Sequence, residues 1–260
     1  MPEGDTVFLA GHRLNEALAG KTLLRAELRH PRLSTSALHG QTVLGVRSVG
    51  KHLLMRFSGD VTLHSHLRMD GAWHLYRPGD KWQRPGHQVR AVFEVDDRIV
   101  VGFALHDMEL VATADEDQLI GHLGPDLLDP DWSEEHFAEA VRRLMTSTAP
   151  LGPTLLDQRL MAGVGNLYKS EVCFLLKASP WREMWAVDVE KAVRLSRKLL
   201  LANAWHPEQT TTGQQGRDRK HWVFERGGKP CRRCGTRISV ETQGDDYMAR
   251  IAYWCPNCQP

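Results

Sequence analysis

Two pairs of cysteines near the C-terminus place the tightest constraint on the fold. Cys231 and Cys234 are separated by two residues, as are Cys255 and Cys258, and twenty residues lie between the pairs. This spacing is typical of a four-thiolate zinc site. Four sulfurs complete a tetrahedral shell and leave no position for water or substrate, so we predict one structural zinc ion that takes no part in chemistry.

A disulfide framework is the alternative explanation for these cysteines. The chain has five cysteines in 260 residues and no recognisable secretory signal, which favours a reducing compartment. The fifth cysteine, Cys173, lies in an apolar helical stretch at residues 172–176. We expect Cys173 to be a small buried hydrophobic residue.

The opening residues Met1-Pro2-Glu3-Gly4 offer a nucleophile. Removal of the initiator methionine would leave Pro2 with a free secondary amine, and a terminal amine titrates at about 8, well below lysine. A secondary amine that condenses with an aldehyde-level carbon gives a cationic iminium, which withdraws electrons and favours elimination. Because proline makes up about 5% of residues in proteins, chance is the ordinary explanation for Pro2 taken alone.

A helix is predicted directly after Pro2 and Glu3. Apolar residues recur at helical spacing over residues 7–17, Gly20 ends the run, and Asp5-Thr6 are the expected caps. The positive end of a helix disfavours a protonated amine and favours a carboxylate. The predicted helix would therefore make the Pro2 amine more reactive and stabilise the Glu3 carboxylate.

Charge is segregated along the chain, although the formal net charge is only +1. Residues 94–139 hold fourteen acidic residues and one arginine, whereas residues 1–93, 140–216 and 217–260 carry net charges of +6, +4 and +4. Three basic regions suit a polyanion that contacts several parts of the chain, and solvated surface charge is the alternative. No apolar run approaches a membrane span, so we expect no membrane partner.

Short alternating runs dominate the first half of the chain. Residues 53–57 and 61–67 flank one turn, and residues 89–95 and 99–103 flank another, which predicts two hairpins. Several such strands predict a β-sandwich. The acidic, turn-rich stretch at residues 124–132 is interpreted as a linker between two domains.

Helical patterns follow the predicted linker. Ser133 is a candidate N-cap, and residues 189–200 mark a second helix. Between them, Gly163-Val164-Gly165-Asn166 runs directly into an apolar segment. Glycines let backbone amides approach an anion at a helix N-terminus, which predicts a phosphate-binding site that includes Asn166. The alternative is that both glycines serve left-handed backbone angles in a turn.

Several motifs occur in one order along the whole chain. They are Met1-Pro2-Glu3-Gly4, Gly50-Lys51-His52-Leu53-Leu54, Leu156-Asp157-Gln158 with Ala162-Gly163-Val164-Gly165-Asn166, and the two cysteine pairs. In this order they resemble the formamidopyrimidine-DNA glycosylase and endonuclease VIII family. Ser65-His66 before Gly71-Ala72-Trp73, and Leu105-His106-Asp107-Met108-Glu109, are more similar to the endonuclease VIII branch.

The resemblance implies an α+β fold. An N-terminal β-sandwich with a flanking helix would be followed by a helix-two-turns-helix domain that carries a four-cysteine β-hairpin zinc finger. We place the catalytic sandwich at residues 1–123, the linker at 124–132, the DNA-binding helical domain at 133–220 and the zinc finger at 221–260.

The resemblance also implies a bifunctional DNA glycosylase and AP lyase of base excision repair. Such an enzyme would remove oxidised bases, chiefly pyrimidines, and cut the backbone by β,δ-elimination through a Schiff base on Pro2. Glu3 would act as general acid or base, and Lys51 would bind a phosphate and assist proton transfer. Arg250, five residues before Cys255, would clamp a phosphate and complete the catalytic set.

Four further residues are expected to contact DNA: Asn166, Arg68, Met69 and His122. Met69 matches the family's wedge residue, with a core methionine as the alternative, and Arg68 would offset the repulsion between Asp70 and phosphates. His122 stands where endonuclease VIII relatives often carry an arginine, and an imidazole is a weaker phosphate anchor at neutral pH. We therefore expect weak duplex binding and a preference for single-stranded or bubble DNA.

The expected partners follow from the same resemblance. They are damaged DNA and one structural zinc ion, with no small-molecule cofactor, and the protein would act as a monomer in the cytoplasm, associated with the nucleoid. The alternative function is a non-catalytic, zinc-dependent DNA-binding protein, which would bind DNA without forming a covalent adduct. A structural interaction module is a third possibility and would need no nucleophile.

Overall fold

The chain folds into two compact units, residues 1–122 (unit 1) and residues 123–260 (unit 2). No helix in the described part of the chain is both long enough and apolar enough to cross a bilayer. The structure, a computed structural model, describes residues 2–30, 33, 38–216, 218–244 and 249–260.

Unit 1 contains eight strands in its described residues. They are β1 (Arg25–Leu28), β2 (Val43–Val49), β3 (His52–Phe57), β4 (Val61–His66), β5 (Ala72–Tyr76), β6 (Val89–Glu94), β7 (Ile99–Phe103) and β8 (Asp107–Ala112). They form two four-stranded antiparallel sheets, β1-β6-β7-β5 and β2-β3-β4-β8. The predicted hairpins are confirmed as β3–β4 and β6–β7, and the β-sandwich is confirmed with them.

Alternation along the strands separates the core from the opposite sheet face. Leu53, Met55 and Phe57 of β3 join the main hydrophobic core, while His52 and Arg56 lie on the other face. This second face is polar and carries the titratable side chains described below.

The described residues of unit 1 also form two α-helices, α1 (Gly4–Leu18) and α2 (Asp117–Ile120). The predicted first helix is confirmed, but its expected caps are wrong, because Glu3 occupies the N-cap position and Asp5 is buried in the first turn. A Cβ on Gly11 would lie 3.0 Å from Cδ2 of Leu53. The glycine therefore lets α1 approach the second sheet closely.

Unit 2 is mainly helical in its described residues and ends in a β-hairpin. Ser133 caps the first helix, accepting from the backbone N–H of His136 while its own N–H donates to the His136 ring, so the predicted start is confirmed. Residues 124–132 pack within this unit, where Leu127 is fully buried. The elements are α3 (Glu134–Met145), α4 (Leu151–Leu156), α5 (Asn166–Leu176), α6 (Val189–Asn203), β9 (Ser239–Gln243) and β10 (Arg250–Trp254).

Candidate active site

Pro2 and Glu3 lie immediately before the first turn of α1. Pro2 is half-buried and precedes the helix, while Glu3 is 1% exposed. Glu3 has extended backbone (φ −115°, ψ −175°), and its carbonyl accepts the N–H of Val7 at 3.1 Å. The structure thus places a buried carboxylate beside the proline at the positive end of a helix, where a negative charge is favoured.

Lys51 lies in the two-residue turn that joins β2 to β3. Val49 pairs with His52 across the turn, so only Gly50 and Lys51 protrude from the sheet. Gly50 has φ +57°, which glycine adopts without strain at the first position of a tight hairpin turn. The turn fixes the backbone of Lys51 at the edge of the polar sheet face.

Met69 lies at the tip of a tight loop between β4 and β5. The N–H of Gly71 donates to the carbonyl of Leu67 at 2.8 Å, and Arg68 adopts φ +51°. Met69 is 70% exposed, so the core alternative for this methionine is wrong. Arg68 donates a hydrogen bond to the carboxylate of Asp107 and remains largely exposed.

Four histidines gather beside the Lys51 turn. Nδ1 of His52 lies 2.8 Å from Nε2 of His64, and the His52 ring also contacts His66 and His122, with centroids 5.1 Å and 6.3 Å away. Burial, reinforced by the neighbouring imidazoles, lowers the pKa of His52 to about 3. Burial also lowers the pKa of His66 to about 4, with the Arg68 charge adding to the effect.

A buried carboxylate, Glu116, neutralises two arginines on the same sheet face. It accepts hydrogen bonds from Nε and Nη2 of Arg56 at 2.7 and 2.6 Å, from Nη2 of Arg47 at 3.0 Å and from Oγ1 of Thr62 at 2.7 Å. The hydrogen bonds from Arg56 are the largest cause that lowers the pKa of Glu116 to about 2. These arginines are therefore structural partners of Glu116.

The glycine-rich turn of unit 2 is fixed by the side chain of Gln158. Its amide nitrogen donates to the carbonyls of Leu156 and Val164, and its oxygen accepts the N–H of Gly163. Gly163 has φ +111°, a backbone conformation that favours glycine. The motif that includes Gln158 and Gly163 therefore shapes the turn that leads into α5.

Asn166 is the first residue of α5, and its side chain has a buried end. Gly165 precedes it with an extended backbone and provides no side-chain cap. Oδ1 of Asn166 is buried and has no hydrogen-bond partner among the described residues. Because an amide can rotate by 180°, the donor end can occupy the same position. Such an amide at a helix N-terminus suits a phosphate ligand.

The four predicted zinc ligands converge in unit 2. Their sulfur atoms all lie within 4.8 Å of one another, and Sγ of Cys234 is 3.4 Å from Sγ of Cys255. Burial, reinforced by the neighbouring cysteines, raises the pKa of Cys258 to about 12. Four sulfurs this close can all be thiolates only if a cation balances their charge, and the donor set fits tetrahedral zinc. Cys173 lies apart, fully buried as predicted.

Helix α5 holds the segments that precede each of the two cysteine pairs. Lys169 is fully buried and its Nζ donates to the carbonyl of Ile251 at 3.1 Å, next to Arg250 at the start of β10. Glu171, also fully buried, accepts the backbone N–H groups of residues 222, 223 and 224 at 2.8 to 2.9 Å and the Thr211 hydroxyl. Arg250 itself is exposed.

The predicted site residues fall into two sets. Unit 1 holds Pro2, Glu3, Lys51, Arg68, Met69 and His122, and unit 2 holds Asn166, Arg250 and the four cysteines. No role was predicted for His52, His64, Glu116 or Glu171, which the structure places in buried or half-buried hydrogen-bond networks. The period-two pattern of β3 and β4 could have placed the two histidines on one sheet face, but no local signal identifies the partners of the two glutamates.

Sequence comparison identifies the family. Residues 1–123 match the formamidopyrimidine-DNA glycosylase N-terminal domain, and residues 123–213 match the formamidopyrimidine-DNA glycosylase H2TH domain. The chain belongs to this family of DNA repair enzymes. The names of its relatives place it in the endonuclease VIII branch, which confirms the resemblance found in the sequence.

Individual relatives match along the whole chain. A probable endonuclease 8 2 of Streptomyces coelicolor is 48% identical, covering 100% of this chain and 94% of that protein. The DNA-(apurinic or apyrimidinic site) lyase Nei2 of Mycolicibacterium smegmatis is 41% identical, covering 100% and 99%. A solved complex between Lactococcus lactis Fpg and DNA containing an abasic site matches with a TM-score of 0.80 at 25% identity, covering 99% of both chains. The α+β fold prediction is confirmed.

Proposed function

We propose that this protein is a bifunctional DNA glycosylase and AP lyase that acts through a Schiff base on Pro2. The observation that carries the proposal is the position of Pro2 beside the buried Glu3 carboxylate at the N-terminus of α1. The family and the names of the relatives support the same activity.

The chemistry begins with Pro2. Once its amine is free, the nitrogen attacks C1′ of the damaged nucleotide, and the base leaves with the electrons of the glycosidic bond as an anion that takes a proton from water. Glu3 takes the proton released by the amine and delivers it to the sugar ring oxygen, which opens the ring and leaves an iminium cation. Loss of a C2′ proton then expels the 3′ phosphate, and loss of a C4′ proton expels the 5′ phosphate. Water finally hydrolyses the iminium, which releases the unsaturated sugar fragment and restores the Pro2 amine. The result is a one-nucleotide gap with a phosphate on each side.

Three residues are assigned to binding the phosphates of the DNA backbone. Lys51 binds a phosphate near the reacting sugar from the tight turn that holds it in place. Asn166 offers an amide whose buried end has no partner among the described residues, and Arg250 offers an exposed guanidinium on β10. One structural zinc ion held by the four cysteines would keep β10 in place.

The proposed activity includes a preference for the type of damaged base and for the strandedness of the DNA. We propose that oxidised pyrimidines are removed, and that single-stranded or bubble DNA is preferred to matched duplex. Arg68 is already hydrogen-bonded to Asp107, and the exposed Met69 is the one wedge candidate in its loop. An unpaired base needs no wedge and costs little free energy to extrude.

Borohydride trapping tests the activity. The protein is incubated with an oligonucleotide that carries an abasic site, sodium borohydride is added, and the expected result is a covalent protein-DNA band on a denaturing gel. Mass spectrometry of the same preparation establishes that Pro2 is the first residue. A matched protein with a retained N-terminal extension should form no band, because its Pro2 nitrogen is an amide. Absence of the band in the protein with a free Pro2 amine would overturn the proposal.

Glu3→Gln separates the two chemical steps. Base removal from an oxidised-pyrimidine substrate should fall by at least about 100-fold, since general acid–base catalysis contributes that much or more. Trapping on a preformed abasic site should persist, because its sugar already opens to the aldehyde in water. A cleavage panel in single-stranded, bubble and duplex DNA tests the strand preference, and equal or faster cutting of matched duplex would contradict it.

A further inference from the structure

One face of the second sheet of unit 1 carries a row of imidazoles beside the Lys51 turn. His52 begins β3 and lies opposite His66 in β4, and His64 shares their face because it is two residues before His66. His122, at the end of unit 1, brings a fourth ring to the cluster. His52 follows Lys51 directly in the chain, so its ring is fixed close to the phosphate-binding turn.

The hydrogen bond between His52 and His64 fixes the position of two protons. A single proton lies between Nδ1 of His52 and Nε2 of His64, which are 2.8 Å apart. His64 is 5% exposed, and its Nδ1 is buried without a partner among the described residues. A buried N–H without an acceptor is rarer than a buried acceptor without a donor, so this nitrogen carries no proton. Neutral His64 therefore donates from Nε2, and His52 must carry its own proton on Nε2.

Both rings of the pair are neutral at pH 7. Burial and the adjacent imidazoles hold the pKa of His52 at about 3, and burial lowers the pKa of His64, against a smaller opposing effect of Glu109 and Asp107. Nε2 of His52 has no hydrogen-bond partner among the described residues. It is also not fully buried, so a ligand can reach it. Among the described residues, the charged groups that face the cluster are Lys51, Arg68, Asp107 and Glu109.

We propose that His64 holds His52 as a neutral Nε2–H donor that binds a DNA phosphate beside Lys51. His52 is then a substrate-binding residue and His64 its positioning residue. The inference rests on the proposed function, since the ligand is the DNA backbone. Lys51 and His52 contribute different interactions with the phosphate. Lys51 supplies a positive charge on a flexible side chain, and His52 supplies an N–H donor whose direction is fixed by the hydrogen bond to His64.

Salt-dependent binding tests the role of His52. The probe is DNA with a tetrahydrofuran abasic analogue, which cannot form a Schiff base. His52→Phe should weaken binding about tenfold, the loss expected for one hydrogen bond to a charged acceptor. The slope of log affinity against log salt should not change, because a neutral donor releases no counterion, whereas Lys51→Gln should reduce the slope by about one. The exposed His39 provides the control, and His39→Phe should bind as wild type.

Two results of the binding measurements would overturn the role of His52. Unchanged affinity for His52→Phe would show that the ring makes no contact with DNA. A slope reduced by one in that variant would show that the ring binds as an imidazolium. At saturating abasic-site DNA, His52→Phe should still form the borohydride adduct, and loss of the adduct would place His52 in the chemistry instead. If the wild-type protein forms no adduct, the proposed enzymatic activity is wrong. The binding measurements, and the NMR measurement of the His52 and His64 tautomers described next, still test the role of His52.

Long-range ¹H–¹⁵N spectra of the full-length protein test the role of His64 without any substitution. At pH 7, the coupling pattern should show His52 protonated on Nε2 and His64 protonated on Nε2. A proton on Nδ1 of His52, or a charged ring, would overturn the proposal. His64→Phe, which keeps a ring and removes the donor, should weaken binding to a similar extent as His52→Phe. Wild-type affinity in a folded His64→Phe protein would refute the positioning role.

Discussion

Unit 1 and unit 2 each bury a carboxylate, and the two are held in different ways. Glu116 in unit 1 is bonded to the side chains of Arg47, Arg56 and Thr62. Glu171 in unit 2 is bonded mainly to backbone, accepting three consecutive N–H groups at residues 222–224. A side-chain network joins elements that are already folded, whereas a backbone network determines the path of the chain.

The difference indicates how each unit is stabilised. Unit 1 encloses an apolar core between two sheets, and Glu116 adds charge pairing on its polar face. In unit 2 the hairpin β9–β10 is small, and its surroundings depend on Glu171, Lys169 and the cysteine cluster. Isolated two-stranded hairpins are marginally stable in water. We therefore expect unit 2 to respond to the loss of single contacts more strongly than unit 1.

Removal of zinc should give the largest difference between the units. In Cys255→Ser, amides of β9 and β10 should lose protection from hydrogen exchange while the sandwich keeps it, because structural zinc contributes about 10–16 kcal/mol in small zinc fingers. DNA affinity should fall by at least about 100-fold as Arg250 loses its position. Cys173→Ser, at a cysteine outside the cluster, should retain one zinc per chain by elemental analysis. Protected hairpin amides in the metal-free protein would contradict the comparison.

Truncation of the two carboxylates should come next in size. Glu171→Ala leaves the backbone N–H groups of residues 222–224 without an acceptor, that of the fully buried Val223 among them, and should lower the free energy of unfolding of unit 2 by about 3–5 kcal/mol. Glu116→Ala should cost unit 1 less, about 1–3 kcal/mol, because Arg56 and Arg47 are 42% and 47% exposed and regain water. Urea unfolding followed by hydrogen exchange in each unit measures both. Equal losses would show that the two networks are equivalent.

Acid should act on unit 1 through Glu116. Its pKa is lowered from 4.5 to about 2 in the folded protein, so the stabilisation is complete above about 4.5 and is lost as the pH falls toward 2. Glu116→Gln, which has no carboxyl group to titrate, should remove this part of the pH dependence. Urea midpoints of unit 1 between pH 5 and pH 2, compared with Glu116→Gln, measure the effect. An identical acid dependence in both proteins would disprove it.

The smallest effect on stability should come from Met69. Met69→Ala should change the free energy of unfolding by less than about 0.5 kcal/mol, since the side chain is 70% exposed. Met55→Ala, at a core position 3% exposed, should cost about 2–5 kcal/mol. If Met69 is the wedge, cutting of duplex substrates should slow in Met69→Ala while cutting of single-stranded substrates should not. Equal slowing on both substrates would exclude a wedge.

Local patterns predicted the parts of the fold that depend on neighbouring residues. The hairpins β3–β4 and β6–β7 follow from period-two alternation, and the Ser133 cap follows from side-chain chemistry next to an apolar helix. Asp5-Thr6 are better intrinsic caps than Glu3, yet Glu3 occupies the cap position. The start of α1 therefore does not follow from intrinsic cap preference alone.

Hydrogen-bond partners that are far apart in the chain could not be predicted from the sequence. Glu116 meets Arg56 and Arg47 across 60 and 69 residues, and Glu171 meets Val223 across 52 residues. Many carboxylates in the acidic region could have paired with those arginines. The cysteines are the exception, because metal-ligand spacing is itself a sequence pattern, and their convergence agrees with the prediction.

The geometry of the eleven-residue helix α5 fixes the distances and angles between the side chains through which it contacts the rest of unit 2. Four side chains make these contacts: Asn166 at the start of the helix, Lys169 and Glu171 in its middle, and Phe174 beside the cysteine cluster. The helix rises by about 1.5 Å per residue, which sets the distances between them. One inserted residue would turn every later side chain by about 100° and break these contacts together. Relatives should therefore vary in length at the polar stretch 207–220 and keep the number of residues between Asn166 and Phe174 constant.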